Sequence, residues 1–373
     1  MDNIIPQENI KIAIVGCGRI SGHHFRSIES IDGMEIIAFC DLIKDKAKAY
    51  GEEFGISYFT NYHKMFDILP EINLVVVATP SGMHYEHSLE FLERYRKHVI
   101  IEKPTFMRPD QLKNTYNIAD RFGLYIFPVF QNRYNKAVQR VKNALINGEL
   151  GNIRIVNVRL RWCRPQRYYD MAPWRGTFSH DGGALTNQGI HHVDLLRYLA
   201  GDVEKVNATM CTLGADIEVE DTVVSTFIYK NGSVGSLEVT TSARPDDFEA
   251  SLSIVGSKGL AQLGGIAVNE LQIFSPMTED CAIYSDDFSD LPDRGKVYGR
   301  GHKEMYKDIA AFLFNKIPYP VSKSDCLNTL SLLHSFYKSD ELGEWVKVEN
   351  NICSNRLGKD NESISKLYRS LFN

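Results

Sequence analysis

"IKIAIVGCGRISGHHFRSIESIDGMEIIAFCD", residues 10–41, decides the fold. It opens on a β-branched apolar run that ends in glycines, continues as "HHFRSIES" with helical spacing, and closes on a second strand, "MEIIAFCD". Gly16 and Gly18 sit where the first strand turns into the helix. Glycine there permits a tight turn and lets a pyrophosphate approach backbone N–H groups at the helix start. Gly22 stands one place later than G-x-G-x-x-G requires, with Ser21 in the third position, where a small side chain still allows close helix packing. A glycine turn by itself belongs to any parallel α/β protein. Asp41, at the end of the second strand, adds a carboxylate at the distance expected for one that binds both ribose hydroxyls of NAD. Leu42 and Ile43 follow it, so no arginine adjoins Asp41 to hold a 2'-phosphate; NAD is favoured over NADP, with Lys44 the nearby cation.

Working outward, the alternation continues through "FTNYHKMFDI", "INLVVVATPS", "HYEHSLEFLERYR", "KHVIIEKP", "PDQLKNTYNIADRFG" and "LYIFPVF". Strands and helices at this spacing imply an α/β class with a parallel, doubly wound sheet over residues 1–130. From Asn152 the pattern changes to successive strands with turn signals, including the Asn231-Gly232 hairpin turn. Residues 131–373 are therefore expected to form a second, α+β domain with a mostly antiparallel sheet. Helical spacing returns at "HKEMYKDIAAFLFNK" and "KSDCLNTLSLLHSFYKSDELG", and the polar stretch from about Asn350 reads as loosely ordered.

Composition narrows the function. The 373 residues, 43% hydrophobic and 24% charged, suffice for a large core. With 42 basic against 47 acidic residues the formal charge is -5, which provides no global field for nucleic acid or an anionic membrane. "MDNIIPQENI" has no basic segment followed by an apolar one, and no apolar run approaches the roughly 20 residues of a membrane span, so a cytoplasmic protein is expected. Seven scattered cysteines suit a reducing compartment; neither zinc nor disulfides are expected.

The glycine loop, Asp41, "ATPSGMH" at 78–84, "EKP" at 102–104 and "GGALTNQGIHHVDLLRYLAG" at 182–201 together resemble the Gfo/Idh/MocA family of glucose-fructose oxidoreductases and inositol dehydrogenases. The resemblance covers nearly the whole chain. It implies an N-terminal Rossmann domain, a C-terminal open-sheet domain, and assembly into homodimers or homotetramers through that sheet. It also implies catalytic roles for Lys103, which reaches the substrate hydroxyl beside the nicotinamide, and for His191. Arg19, Ile20, Thr79, Pro80, His84, Glu102, Trp174 and Arg175 are placed at the cofactor, and Arg164, Asn187, Asp194, Tyr298 and Arg300 at the substrate.

These residue types suit the chemistry. A strand's carboxyl end faces the ligand crevice of a doubly wound sheet, and an amine held there favours a developing alkoxide. An imidazole of ordinary pKa near 6.5 can take an alcohol proton, and on a helix His191 shares a face with Asp194 while His192 points about 100° away. Inositol dehydrogenase-like members carry aspartate where this chain has Asn187. Asparagine there resembles the branch that oxidises C3 of a UDP-linked N-acetylated hexuronic acid. The expected function is thus NAD-dependent oxidation of a sugar secondary alcohol, most plainly on such a sugar nucleotide. The alternatives are an inositol or simple-sugar dehydrogenase, an NAD-dependent glycosidase-like hydrolase, and a non-catalytic sensor. Arg159 and Arg161 on one strand face read as a solvated or subunit-facing side, Arg164 and Arg167 equally as phosphate ligands or surface, and Arg133 and Tyr134 equally as site or packing residues.

Overall fold

The structure, a computed structural model, describes residues 9–288 and 298–370. The chain forms two compact units. The first runs to Val129 and takes back 302–326 and the tail from Asp360; the second holds 130–301 and 327–359. Residues 302–326 and the tail from Asp360, which the sequence reading grouped with 131–373, fall in the first unit.

In the first unit, β1 (Ile10–Val15), β2 (Met34–Cys40), β3 (Ser57–Phe59), β4 (Leu74–Val77), β5 (His98–Ile101) and β6 (Ile126–Pro128) line up as β3-β2-β1-β4-β5-β6. Every neighbouring pair is parallel. β4 and β5 are buried at every position, which is why they read as unbroken apolar runs instead of alternating ones. The order reverses between β1 and β4, the crevice where open α/β sheets bind ligands at strand carboxyl ends. Helix Lys44–Phe54 ends at Gly55 in the left-handed region, as its glycine signals.

The second unit is built on β7 (Ile153–Arg161), β8 (Val203–Cys211), β9 (Thr222–Tyr229), β10 (Val234–Thr240), β11 (Glu249–Gly256), β12 (Leu260–Gly264), β13 (Glu270–Ser275) and β14 (Val346–Lys347). Their order is β13-β12-β11-β7-β10-β9-β8-β14, antiparallel except for β7 with β10. Along β7, Val156, Val158 and Leu160 are buried while Ile155 and Arg159 are exposed, so the sheet has one covered and one open face. Helix Ile190–Ala200 lies against β7 on this scaffold. The β9–β10 hairpin turns at Asn231-Gly232, where Gly232 has φ +84°.

The tail is better tied than its polarity suggested. Ser354 N–H donates to His334 Nδ1 at 3.0 Å, Leu357 is fully buried, and Arg369 forks Glu86 at 2.5 and 2.8 Å. Among the described residues, no helix is long and apolar enough to cross a membrane.

Candidate active site

In the first unit, Gly16 leaves β1 with φ +100°, and a Cβ there would lie 2.4 Å from the Ala78 carbonyl oxygen. Only glycine lets the β1 and β4 ends close up in this way. At Gly18 a Cβ would meet nothing within 4 Å. Ser21 Oγ donates to the Gly16 carbonyl at 2.5 Å, closing the turn ahead of helix Ser21–Ile28. Asp41 follows β2; its Oδ2 accepts from Cys17 N–H and its Oδ1 from Ile43 N–H, each at 2.8 Å. Each carboxylate oxygen keeps a lone pair after these bonds. Arg19 is exposed beside the loop and Ile20 half-buried. An open approach at Gly18, a helix start and a fixed carboxylate fit a dinucleotide: the loop would hold its pyrophosphate and Asp41 its adenosine ribose.

Thr79 and Pro80, half-buried after β4, are joined to the "EKP" turn by His84, whose Nε2 lies 3.0 Å from the Thr79 carbonyl and Nδ1 2.9 Å from that of Pro104. The Lys103–Pro104 peptide is cis. Lys103 is half-buried, whereas Glu102 is 6% exposed and turned into the protein. There its Oε1 accepts from His24 Nε2 at 2.9 Å, its Oε2 accepts from Lys103 N–H at 3.1 Å, and His302 Nε2 stands 3.6 Å away. Tyr306 Oη backs His24 at Nδ1, 2.7 Å away. Burial alone would raise the Glu102 carboxyl, but the His24 and His302 imidazoles outweigh it and hold it well below the usual carboxylate range. Read as a cofactor ligand from its motif, Glu102 is here engaged by histidines.

In the second unit, one wide turn, Ala184–Gln188, leads into helix Ile190–Ala200. Gly183 opens it at φ +80°, because a Cβ would strike the Glu220 carboxylate at 2.3 Å. Asn187 Nδ2 donates to Asp181 Oδ1, while Asp181 Oδ2 accepts from Gly176 N–H at 2.7 Å. Gln188 Nε2 donates to Tyr168 Oη at 3.0 Å. His191, 8% exposed, has the Gln131 amide nitrogen 3.1 Å from its Nε2. His192 is buried and pushed down to about 4 by that burial. Asp194, open to a cofactor-site role or to holding the geometry, is bonded from two sides: Arg133 forks it at 2.6 and 2.7 Å and Thr329 Oγ1 donates at 2.9 Å. Arg133 is thereby a buried packing cation under the His191 helix.

The arginines divide. Arg175 lies over Trp174 at 4.5 Å and Tyr168 at 4.3 Å, and Arg164 over Trp162 at 5.0 Å while donating to Asp247 at 2.8 Å. Arg161 forks Glu238 at 2.6 and 2.8 Å on the open sheet face. Arg159, Arg167 and Arg300 are exposed, and Tyr134 and Tyr298 half-buried. Sequence reasoning missed Asp181, Gln131 and the His24–Tyr306 backing of Glu102. "HDGGALTNQ" does place a carboxylate six residues before Asn187, but its partner depends on the wide turn, which no periodicity announces.

Comparison with known proteins adds the chemistry. Residues 10–130 match a family model described as an oxidoreductase family with an NAD-binding Rossmann fold, and residues 138–262 match that of the GFO/IDH/MocA C-terminal domain. The glucose-6-phosphate 3-dehydrogenase of Bacillus subtilis is 28% identical over 353 residues, 91% of this chain and 98% of the relative. The myo-inositol 2-dehydrogenase of Thermotoga maritima is 24% identical, over 91% and 99%. The crystal structure of the WlbA dehydrogenase from Bordetella pertussis in complex with NADH and UDP-GlcNAcA aligns at TM-score 0.82 and 34% identity, covering 92% of this chain and 98% of that one.

Proposed function

We propose that this chain, which belongs to the Gfo/Idh/MocA family of NAD-dependent oxidoreductases, oxidises C3 of a UDP-linked N-acetylated hexuronic acid. Oxidation of a sugar alcohol with NAD comes with the family. The choice of sugar rests on one observation: 34% identity along 98% of a dehydrogenase crystallised with NADH and UDP-GlcNAcA. Asn187 in place of an aspartate supports it.

When bound, nicotinamide supplies the acceptor for the hydride that leaves the sugar carbon. Lys103 holds its ammonium at the reacting oxygen and stabilises the alkoxide character that develops there. His191 takes the hydroxyl proton. The Gln131 amide nitrogen, 3.1 Å from His191 Nε2, orients the ring. Asp194 and Arg133 keep the helix that carries His191 in place, and Asn187, oriented by Asp181, presents its amide carbonyl to a substrate N–H or hydroxyl.

The test is reduced-nicotinamide absorbance from purified enzyme and NAD with UDP-GlcNAcA, UDP-N-acetylglucosamine, glucose 6-phosphate and myo-inositol. A signal confined to the uronate supports the proposal. A signal with glucose 6-phosphate or inositol alone replaces it by the second reading, a simple-sugar dehydrogenase, favoured by the Bacillus and Thermotoga relatives.

A further inference from the structure

We propose that Asp181 and Asn187 act as a single-charge pair, in which the buried carboxylate of Asp181 is a positioning residue: it turns the amide carbonyl of Asn187 toward the sugar and excludes a second carboxylate from position 187. The inference rests on the substrate role given to Asn187 above.

The backbone delivers Asp181 inward. Its N–H and that of Gly182 both return to the Thr177 carbonyl, at 3.0 and 2.8 Å, and Gly182 and Gly183 then take φ of +78° and +80°. The side chain, in a residue 1% exposed, joins two segments of the second unit. On one side Oδ2 accepts from Gly176 N–H at 2.7 Å, directly after Trp174 and Arg175. On the other, Oδ1 accepts from Asn187 Nδ2, on the wide turn that leads to His191. Glu220 pins that turn independently: its backbone carbonyl accepts Ala184 N–H and its Oε1 accepts Leu185 N–H, each at 3.0 Å. With the backbone held on both sides, what Asp181 sets is the sense of the amide.

A carboxylate only accepts, so it decides which end of an amide faces it. Asn187 Nδ2 therefore points at Asp181 and Oδ1 away from it; Gln188 Nε2, 3.5 Å from that oxygen, agrees with this sense. An amide oxygen carries two lone pairs and can accept a sugar hydroxyl or N–H. Aspartate at 187 would instead set two carboxylates against each other out of water, where both cannot stay ionised. Asn187 is thus the partner that Asp181 requires. The negative charge rests on the inner residue, and the outer one is a neutral acceptor.

The variants D181N, N187D and the exchanged pair D181N/N187D are compared with wild type for kcat/KM at saturating NAD, with melting temperature as the check on folding. The sugar is whichever of the four named above the wild type oxidises. In D181N the new amide keeps its oxygen on Gly176 N–H and turns its nitrogen to Asn187, which must then rotate and show the sugar a donor. In N187D the two carboxylates meet. Each single variant is expected to lose about tenfold or more in kcat/KM. In the exchanged pair the amide at 181 donates to the carboxylate at 187, whose second oxygen is an acceptor for the sugar. The exchange should therefore recover about tenfold over either single variant, a rescue that support of Gly176 alone would not produce. Folded D181N or N187D with wild-type kcat/KM overturns the inference. An exchanged pair no better than N187D overturns it as well, and decides the matter where D181N does not fold. Failure of the substrate reading shows in the wild type, as oxidation of glucose 6-phosphate or inositol in place of the uronate, and the exchange is then judged on that sugar. A wild type that oxidises none of the four removes both.

Discussion

At Gly16 a Cβ would lie 2.4 Å from a backbone carbonyl at φ +100°, whereas at Gly18 nothing stands within 4 Å. The two glycines of one motif therefore differ: the fold requires the first, while the second borders open space. Gly16→Ala should lower the melting temperature and abolish NAD binding together, because β1 cannot approach the β4 loop. Gly18→Ala should leave the melting temperature unchanged or slightly raised yet weaken NAD binding by about tenfold or more, since its methyl occupies the pyrophosphate approach. Thermal melts beside fluorescence titration check the pair; equal effects of the two substitutions would refute the distinction. At this scale the sequence conveyed the residues whose task is local. Asp41 was legible because its distance from the glycines follows from one strand and one helix. The partners of Glu102 and Asp194 were not legible, because His24, His302, Arg133 and Thr329 lie far along the chain.

Among elements, the strands and helices with strong periodicity stood out in the sequence, including β7 to β13 and the Asn231-Gly232 turn. β3 and β14, of three and two residues, carry too few side chains for a pattern. The return of the tail was illegible for another reason: it is held by carbonyls and ions, not by an apolar stripe. The Tyr368 carbonyl meets His87 Nε2 at 3.2 Å, the Ser370 carbonyl meets His63 Nε2 at 3.3 Å, and Arg369 spans Glu86 and Glu362. His87 is buried and lowered to about 4, so its ring loses a partner that water does not replace. Leaving such a donor unmade costs about 1–3 kcal/mol, while the half-exposed Arg369 pairs add little. Ending the chain after Lys359 should therefore lower the melting temperature by several degrees, at about 2–4 °C per kcal/mol. Arg369→Ala alone should cost about 1 kcal/mol or less. A truncated protein that melts with the full chain would show the tail to be dispensable.

Across the whole molecule, titration opposes stability from both sides of neutrality. His87 and His98 in the first unit and His192 in the second are each lowered by burial to about 4, and His23 to about 2. Below pH 6.5 the unfolded chain takes up protons these rings refuse, so stability is complete above that value and is lost as pH falls toward 4. Glu220 works in the other direction. Burial raises it to about 8 against the bonds from Tyr337 and Leu185 N–H, so its native carboxyl keeps a proton that the unfolded chain releases above 4.5. That contribution is whole below 4.5 and is lost as pH rises to 8, on the order of a few kcal/mol. Four imidazoles outweigh one carboxyl from 4.5 up to about pH 7, where the unfolded rings have shed most of their protons and Glu220 takes over. Melting temperature should accordingly peak near pH 7. The alkaline loss should concentrate in the second unit, where hydrogen exchange of the Ala184–Gln188 turn and of β9 should accelerate first. Glu220→Gln keeps the shape and hydrogen-bonding capacity without the titration, so it should flatten the curve between pH 7 and 8 and steepen the rise between 4.5 and 6.5. A mutant curve that falls as steeply as the wild type above pH 7 would remove Glu220 as the cause.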